Sequence, residues 1–126
     1  MKGIGVDITS IPQITRLIDR DRETLAIVFT FKEQNYCQSV RNSHVSYALC
    51  FGIKEAVGKA LGIGLVGIDW NEIEADLTQS KPRVCLSGRA ETHAQRLGIQ
   101  QWLVDWWEWQ ECVFVSVLAL SSTDRT

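Results

Sequence analysis

Residues 45–64 read VSYALCFGIKEAVGKALGIG, and this stretch decides the fold. Leu49, Ile53, Ala56, Val57 and Ala60 recur at helical intervals, so Val45 to Leu61 is expected to be a central buried helix. Lys54, Glu55 and Lys59 interrupt its apolar run. Glu55 and Lys59 stand one turn apart on a face that also holds Phe51 and Gly52. Two readings fit them. One is a surface ion pair worth about 0.3–0.5 kcal/mol. The other is a working group, because Gly62-Ile63-Gly64 follows at once; these glycines end the helix and are expected to leave backbone N–H groups free, as phosphate-binding loops do.

Upstream, Gly3 to Ile8 reads as a strand with Ile4, Val6 and Ile8 on one face and Gly3, Gly5 and Asp7 on the other. Glycines flanking an acid on its own face leave room for a ligand or a second backbone to approach; the alternative is a strand end whose Asp7 caps the next helix. Ser10 is placed to cap that helix, with Pro12 in its first turn and Ile11, Ile14, Leu17 and Ile18 as the apolar stripe. Arg16 and Arg20 lie on its other side with Arg22 just beyond, either a solvated face or a docking patch for an acidic partner. Thr30 and Glu33 fit a capping box opening a short helix through Tyr36, followed by a polar loop over 38–43.

Downstream, Ile73, Ala75 and Leu77 alternate with acids in a strand, Lys81-Pro82 marks a turn, and Val84 and Leu86 return. Ser87 is expected to cap a helix that turns Ala90, Ala94 and Leu97 inward and ends at Gly98. His93 on that helix reads as structural or exposed. Two final strands, 101–106 and 112–120, enclose Trp107-Glu108-Trp109-Gln110. Helices and strands mix without βαβ alternation, so the class is α+β: one domain over 1–120, a small antiparallel sheet packed against helices, and a polar tail at 121–126.

Composition narrows the function. With 126 residues, 45% hydrophobic and 22% charged, the chain suits one soluble domain. No membrane-length apolar run or signal-peptide layout is present, so the cytosol is the expected location. A net charge of -2 argues against nucleic acid as a partner. Cys37, Cys50, Cys85 and Cys112 lack C-x-x-C spacing and sit beside apolar neighbours, which suggests buried thiols in a reducing compartment. A domain this small gains from oligomerisation.

The residues thus supply a strand carboxylate and a helix carboxylate with two lysines beside a glycine turn. Such a set suits Mg²⁺, which takes few carboxylates and completes its octahedron with phosphates and water. A lysine one turn away can neutralise a transferring phosphoryl group.

Gly3-Ile4-Gly5-Val6-Asp7-Ile8, then Phe29-Thr30 with Glu33 and Tyr36, then Phe51 through Gly62, resemble the holo-acyl-carrier-protein synthases of the 4′-phosphopantetheinyl transferase superfamily. Ile68 to Glu74, Lys81 to Val84 and Gly88 to Ala90 extend the resemblance over nearly the whole chain. It implies that family's fold and a Mg²⁺-dependent transfer of 4′-phosphopantetheine from coenzyme A to a serine of an apo acyl carrier protein, releasing 3′,5′-ADP. Asp7 and Glu55 match the metal positions, and Lys59 matches the lysine at the diphosphate, beside Gly62 and Gly64. Glu55 is the candidate to activate the serine hydroxyl. Small members are homotrimers with active sites between subunits, and Trp102, Trp106, Trp107 and Trp109 belong either to that contact or to the core.

The chain departs from the pattern at several places. Cys50 stands for an arginine, Ile63 for a threonine, and Asp105-Trp106-Trp107-Glu108 for an S-x-[ST]-H segment. In the first helix Gln13 replaces a carrier-contacting arginine, while Arg20 and Arg22 remain for the carrier. Glu108 therefore falls near the expected coenzyme A phosphates. There it would join the cation, pair with a basic side chain, or face solvent. The implied enzyme is a divergent transferase; the alternative is a non-catalytic relative that binds a carrier protein or partner enzyme.

Overall fold

A computed structural model describes residues 1–124; the last two residues of the expected tail lie outside the described part. Among the described residues the chain runs β1 (Gly3–Ser10), α1 (Ile11–Arg20), α2 (Arg22–Val28), α3 (Phe31–Ser39), α4 (Ser43–Ala60), a 3-10 turn (Trp70–Glu72), β2 (Ile73–Asp76), β3 (Arg83–Leu86), α5 (Gly88–Arg96), β4 (Gln101–Trp109) and β5 (Cys112–Leu120). The α+β class is as expected. One antiparallel sheet has the order β1-β5-β4, and β2 and β3 form a separate hairpin.

Helix α4 lies across the inner face of the larger sheet. Val113, Val115, Val117 and Ala119 of β5 are fully buried there, as are Ile53, Ala56 and Val57 of α4. The glycines of β1 make this packing close: a Cβ on Gly5 would fall 1.8 Å from the Ala56 carbonyl oxygen, and one on Gly3 would fall 2.2 Å from that of Ala60. The strand face of Gly3 and Gly5 therefore receives a second backbone, not a ligand. Its opposite face is open, with Ile4, Val6 and Ile8 each more than half exposed.

Local chemistry sets most boundaries. The Ser10 hydroxyl accepts from the Gln13 N–H at 3.3 Å, with proline in the first turn of α1. Thr30 and Glu33 complete the capping box of α3. Several boundaries differ from the sequence reading. Asp21, whose carboxylate accepts from the Thr24 N–H at 2.7 Å, opens the separate helix α2, so Arg20 ends one helix and Arg22 begins the next. Helix α3 extends to Ser39 and α4 begins at Ser43, which leaves little of the expected loop. Ser87 makes no side-chain cap; a Glu72 carboxylate oxygen accepts from the Ala90 N–H at 2.9 Å instead. Leu97, expected inward, is 38% exposed. Strand β4 continues through Trp109, and Gln110 and Glu111, both at positive φ, make the turn into β5. Cys37 and Cys50 are buried, but Cys85 is exposed and Cys112 half-buried. In the tail, Asp124 binds the N-terminal ammonium at 2.8 Å and the Ser121 N–H at 2.7 Å.

Lys54 does not share the surface with Glu55. It is fully buried and pairs with the buried Glu33 at 2.8 Å. Its ammonium also donates to the carbonyls of Trp70, at 3.0 Å, and Ile73, at 2.6 Å. Glu33 in turn accepts from the Thr30 N–H at 2.8 Å and the Ala75 N–H at 2.7 Å. One ion pair thus ties α3, α4 and β2, with three partners on the ammonium and both carboxylate oxygens engaged, the condition under which a buried pair is tolerated. Desolvation is the leading influence on Glu33 and pushes its carboxyl upward, opposed mainly by Lys54.

Candidate active site

Asp7 points from β1 toward α4. Residue 52 is glycine, and a Cβ there would sit 2.9 Å from a Val115 methyl, 3.3 Å from the Thr9 hydroxyl and 3.5 Å from the Asp7 carboxylate. The helix thus comes down beside the acid. Asp7 is no helix cap, because Ser10 fills that role. Instead the Thr9 hydroxyl donates to Asp7 Oδ2 at 2.5 Å and fixes its orientation.

Glu55 follows Gly52 by three residues and Lys59 follows by seven, so all three lie on one face of α4. Lys59 Nζ donates to the Val6 carbonyl at 2.8 Å and lies 3.5 Å from Asp7 Oδ1. The Lys59 side chain is half exposed while that of Asp7 is 12% exposed, which sets an inner carboxylate behind an outer cation. Burial raises the Glu55 carboxyl above its ordinary range; the Asp7 charge raises it further, and Lys59 partly offsets both. Two carboxylates sharing a half-open edge fit a hard divalent cation, with remaining ligands from phosphate and water. Asp7, Glu55 and Lys59, proposed from separate segments, are brought together.

Other candidates lie apart from them. The Gly62 N–H donates to the Lys59 carbonyl at 3.0 Å and the Gly64 N–H to the Gly58 carbonyl at 2.9 Å, so these amides are not the free donors expected. The open feature is the space above them: no heavy atom lies within 4 Å of a Cβ built on either. Glu108 sits on β4 opposite Val113, at the far edge of the sheet from Asp7. Its carboxylate lines a groove of about 410 Å³ with Arg41, Pro82 and Trp106, and one of about 440 Å³ with Arg16 and Glu111. Among the described residues it has no cation within 4.0 Å, and no three His, Cys, Asp or Glu side chains converge as a metal group. Gln13, Arg20 and Arg22 are all exposed. The tryptophans divide: Trp102 and Trp106 face the helix side with Val104, while Trp107, stacked on Phe114 with centroids 5.2 Å apart, and Trp109 face outward.

Sequence reasoning missed Thr9, which shares Asp7's face two residues on and was within reach of a period-two reading. It also missed Gly52 as the point of close approach and Lys54 as a core group. His93 is structural, its Nε2 bonding the Leu61 carbonyl at 2.9 Å at the end of α4.

A family model described as the 4'-phosphopantetheinyl transferase superfamily matches residues 3–110. A holo-[acyl-carrier-protein] synthase of Moorella thermoacetica is 44% identical over 100 residues, covering 79% of this chain and 78% of that one. The crystal structure of the holo-[acyl-carrier-protein] synthase of Neisseria meningitidis superposes with a TM-score of 0.82 at 25% identity, covering 96% of this chain and 99% of that one. A Plasmodium yoelii acyl carrier protein synthase with ADP bound gives 0.78 at 26% identity, covering 98% and 97%. On the family model and these relatives, the chain belongs to the 4′-phosphopantetheinyl transferase superfamily.

Proposed function

We propose that this chain is a holo-acyl-carrier-protein synthase that transfers 4′-phosphopantetheine from coenzyme A to a serine of an apo acyl carrier protein. The observation that carries this reading is the placement of Asp7, Glu55 and Lys59 around one half-open edge between β1 and α4. Asp7 and Glu55 would hold Mg²⁺, which would neutralise the diphosphate of the donor. Lys59, already fixed by the Val6 carbonyl, supplies a positive charge to the phosphoryl group in transit. Glu55, its carboxyl raised by burial and by Asp7, is placed to accept the serine proton. A new P–O bond forms to the serine, the P–O bond to the nucleotide breaks, and 3′,5′-ADP leaves.

The working unit is a homotrimer. Ile4, Val6 and Ile8 of β1 and Trp107 and Trp109 of β4 are each at least half exposed on the outer face of one sheet, a patch of the kind that marks interfaces. Asp7 and the grooves at Glu108 occupy opposite edges of that sheet, so a neighbouring copy would bring one to the other. Gln13, Arg20 and Arg22 present the carrier-facing side to an acidic carrier protein. Four free cysteines suit the cytosol. Intact-protein mass spectrometry of an apo carrier after incubation with coenzyme A and Mg²⁺ tests the transfer. Light scattering tests the assembly, and a stable monomer at micromolar concentration rejects the trimer.

A further inference from the structure

We propose that the groove between the Ile63–Ile68 loop and α5 is a second anion site, built to take a phosphate dianion, either free or carried on a small organic ester. The groove encloses about 490 Å³, within the usual range for small-molecule sites. One wall is α5, where Arg89, His93 and Arg96 follow one another at helical spacing and turn the same face into it. The other wall is the loop, with Ile63 and Ile68 as an apolar floor and Gly67 at its mouth.

Charge argues for the ligand class. The chain is net acidic, yet no Asp or Glu lines this groove. Among the described residues neither arginine has a carboxylate within 4.0 Å. The nearest acid, Glu72, packs against Gly88 at the groove's edge, where one of its carboxylate oxygens accepts from the Ala90 N–H at 2.9 Å in the first turn of α5. Arg89 donates a long bond of 3.3 Å to the Gly67 carbonyl and keeps its other N–H groups available. Two guanidinium groups about two turns apart suit the several oxygens of a phosphate, which arginine recognises in bidentate fashion. The space over Gly67 is open, with no heavy atom within 4 Å of a Cβ built there, so an anion can approach the backbone. An ester's organic part would lie on Ile63 and Ile68.

Occupancy would act on the loop. Helix α5 holds that loop through the Arg89 bond to Gly67 and the His93 bond to the Leu61 carbonyl. An anion drawing Arg89 inward changes the first of these contacts and leaves the second.

Titration calorimetry tests the site with two probes, inorganic phosphate and adenosine 5′-monophosphate, on the wild type, on the double variant Arg89→Gln/Arg96→Gln and on Lys59→Gln. Both arginines are exposed, so the double variant is expected to fold, and circular dichroism checks this. At least one probe is expected to bind with the double variant weakened about tenfold or more, and with Lys59→Gln little changed. Tighter binding of the ester assigns Ile63 and Ile68 to its organic part; equal binding assigns the site to free phosphate. The proposal is overturned if neither probe binds, if the folded double variant binds as well as the wild type, or if only Lys59→Gln loses binding. Transferase activity is not the readout, so failure here leaves the donor reading standing.

Discussion

Gly5→Ala puts the β1–α4 contact to a direct test. The added Cβ would fall 1.8 Å from the Ala56 carbonyl oxygen and 3.1 Å from the Ala60 amide nitrogen, and both are backbone atoms that no rotamer change can remove. Restoring an ordinary contact needs a shift of α4 or β1 by more than about 1 Å. Overpacking typically costs about 1–3 kcal/mol, and a clash with helix backbone belongs at the upper end. At about 4 °C per kcal/mol for a chain of this size, the expected loss in Tm is roughly 12 °C. Gly62→Ala is the control: Gly62 has φ +82° but nothing within 4 Å of its Cβ position. Its alanine bears only the left-handed penalty of about 1–2 kcal/mol. Because Ala56 adjoins Glu55, the displaced helix also carries that carboxylate away from Asp7, and a misplacement near 1 Å can lower turnover about 100-fold. Thermal unfolding by circular dichroism reads the stability. A Gly5→Ala variant as stable as Gly62→Ala refutes the packing on which the site's geometry rests.

Further outcomes follow from the charges. A raised Glu55 carboxyl gives stability that is full below its unfolded value near 4.5 and is lost as pH rises through the higher folded value. Without metal, Glu55→Gln is therefore expected to gain on the wild type as pH rises through that window. Mg²⁺ at ten times its dissociation constant should stabilise the wild type by about 1.4 kcal/mol at pH 7 and leave the variant unchanged; urea titrations check both. Lys54→Met strands Glu33 in the core and should cost about 3–5 kcal/mol, whereas Glu33→Gln with Lys54→Met should recover most of that loss. A double variant no better than the single one in urea contradicts the pairing. Trp107→Ser with Glu108→His removes a carboxylate from the groove it shares with Arg41, and calorimetry should find tighter coenzyme A binding. Weaker binding would make Glu108 a working part of the site.

The residues that announced themselves were those whose role is local or periodic. The Ser10 cap of α1, the capping box of α3, the apolar repeat of α4 and the alternation of β2 depend on near neighbours, and each was legible. Asp7, Glu55 and Lys59 were legible singly by face and jointly through the family resemblance. What stayed hidden depends on tertiary approach. Lys54 reads only as one of three charges interrupting an apolar helix until Glu33, 21 positions earlier in the sequence, turns out to be its buried partner. Gly3 and Gly5 read as room for either a ligand or a second backbone, and only the approach of α4 decides for the backbone. Asp21, a single residue between two helices, gave too weak a pattern to separate α2 from α1. The amides of Gly62 and Gly64 are consumed by i→i−3 and longer returns to the end of α4, which a G-x-G pattern does not specify.

Mass spectrometry of an apo acyl carrier protein incubated with this protein, coenzyme A and Mg²⁺ tests the central claim most directly. The account predicts a carrier heavier by one 4′-phosphopantetheine per serine, formed by the wild type and absent with Asp7→Ala or without divalent metal. A carrier of unchanged mass with the folded wild type, or full modification by Asp7→Ala, would contradict it.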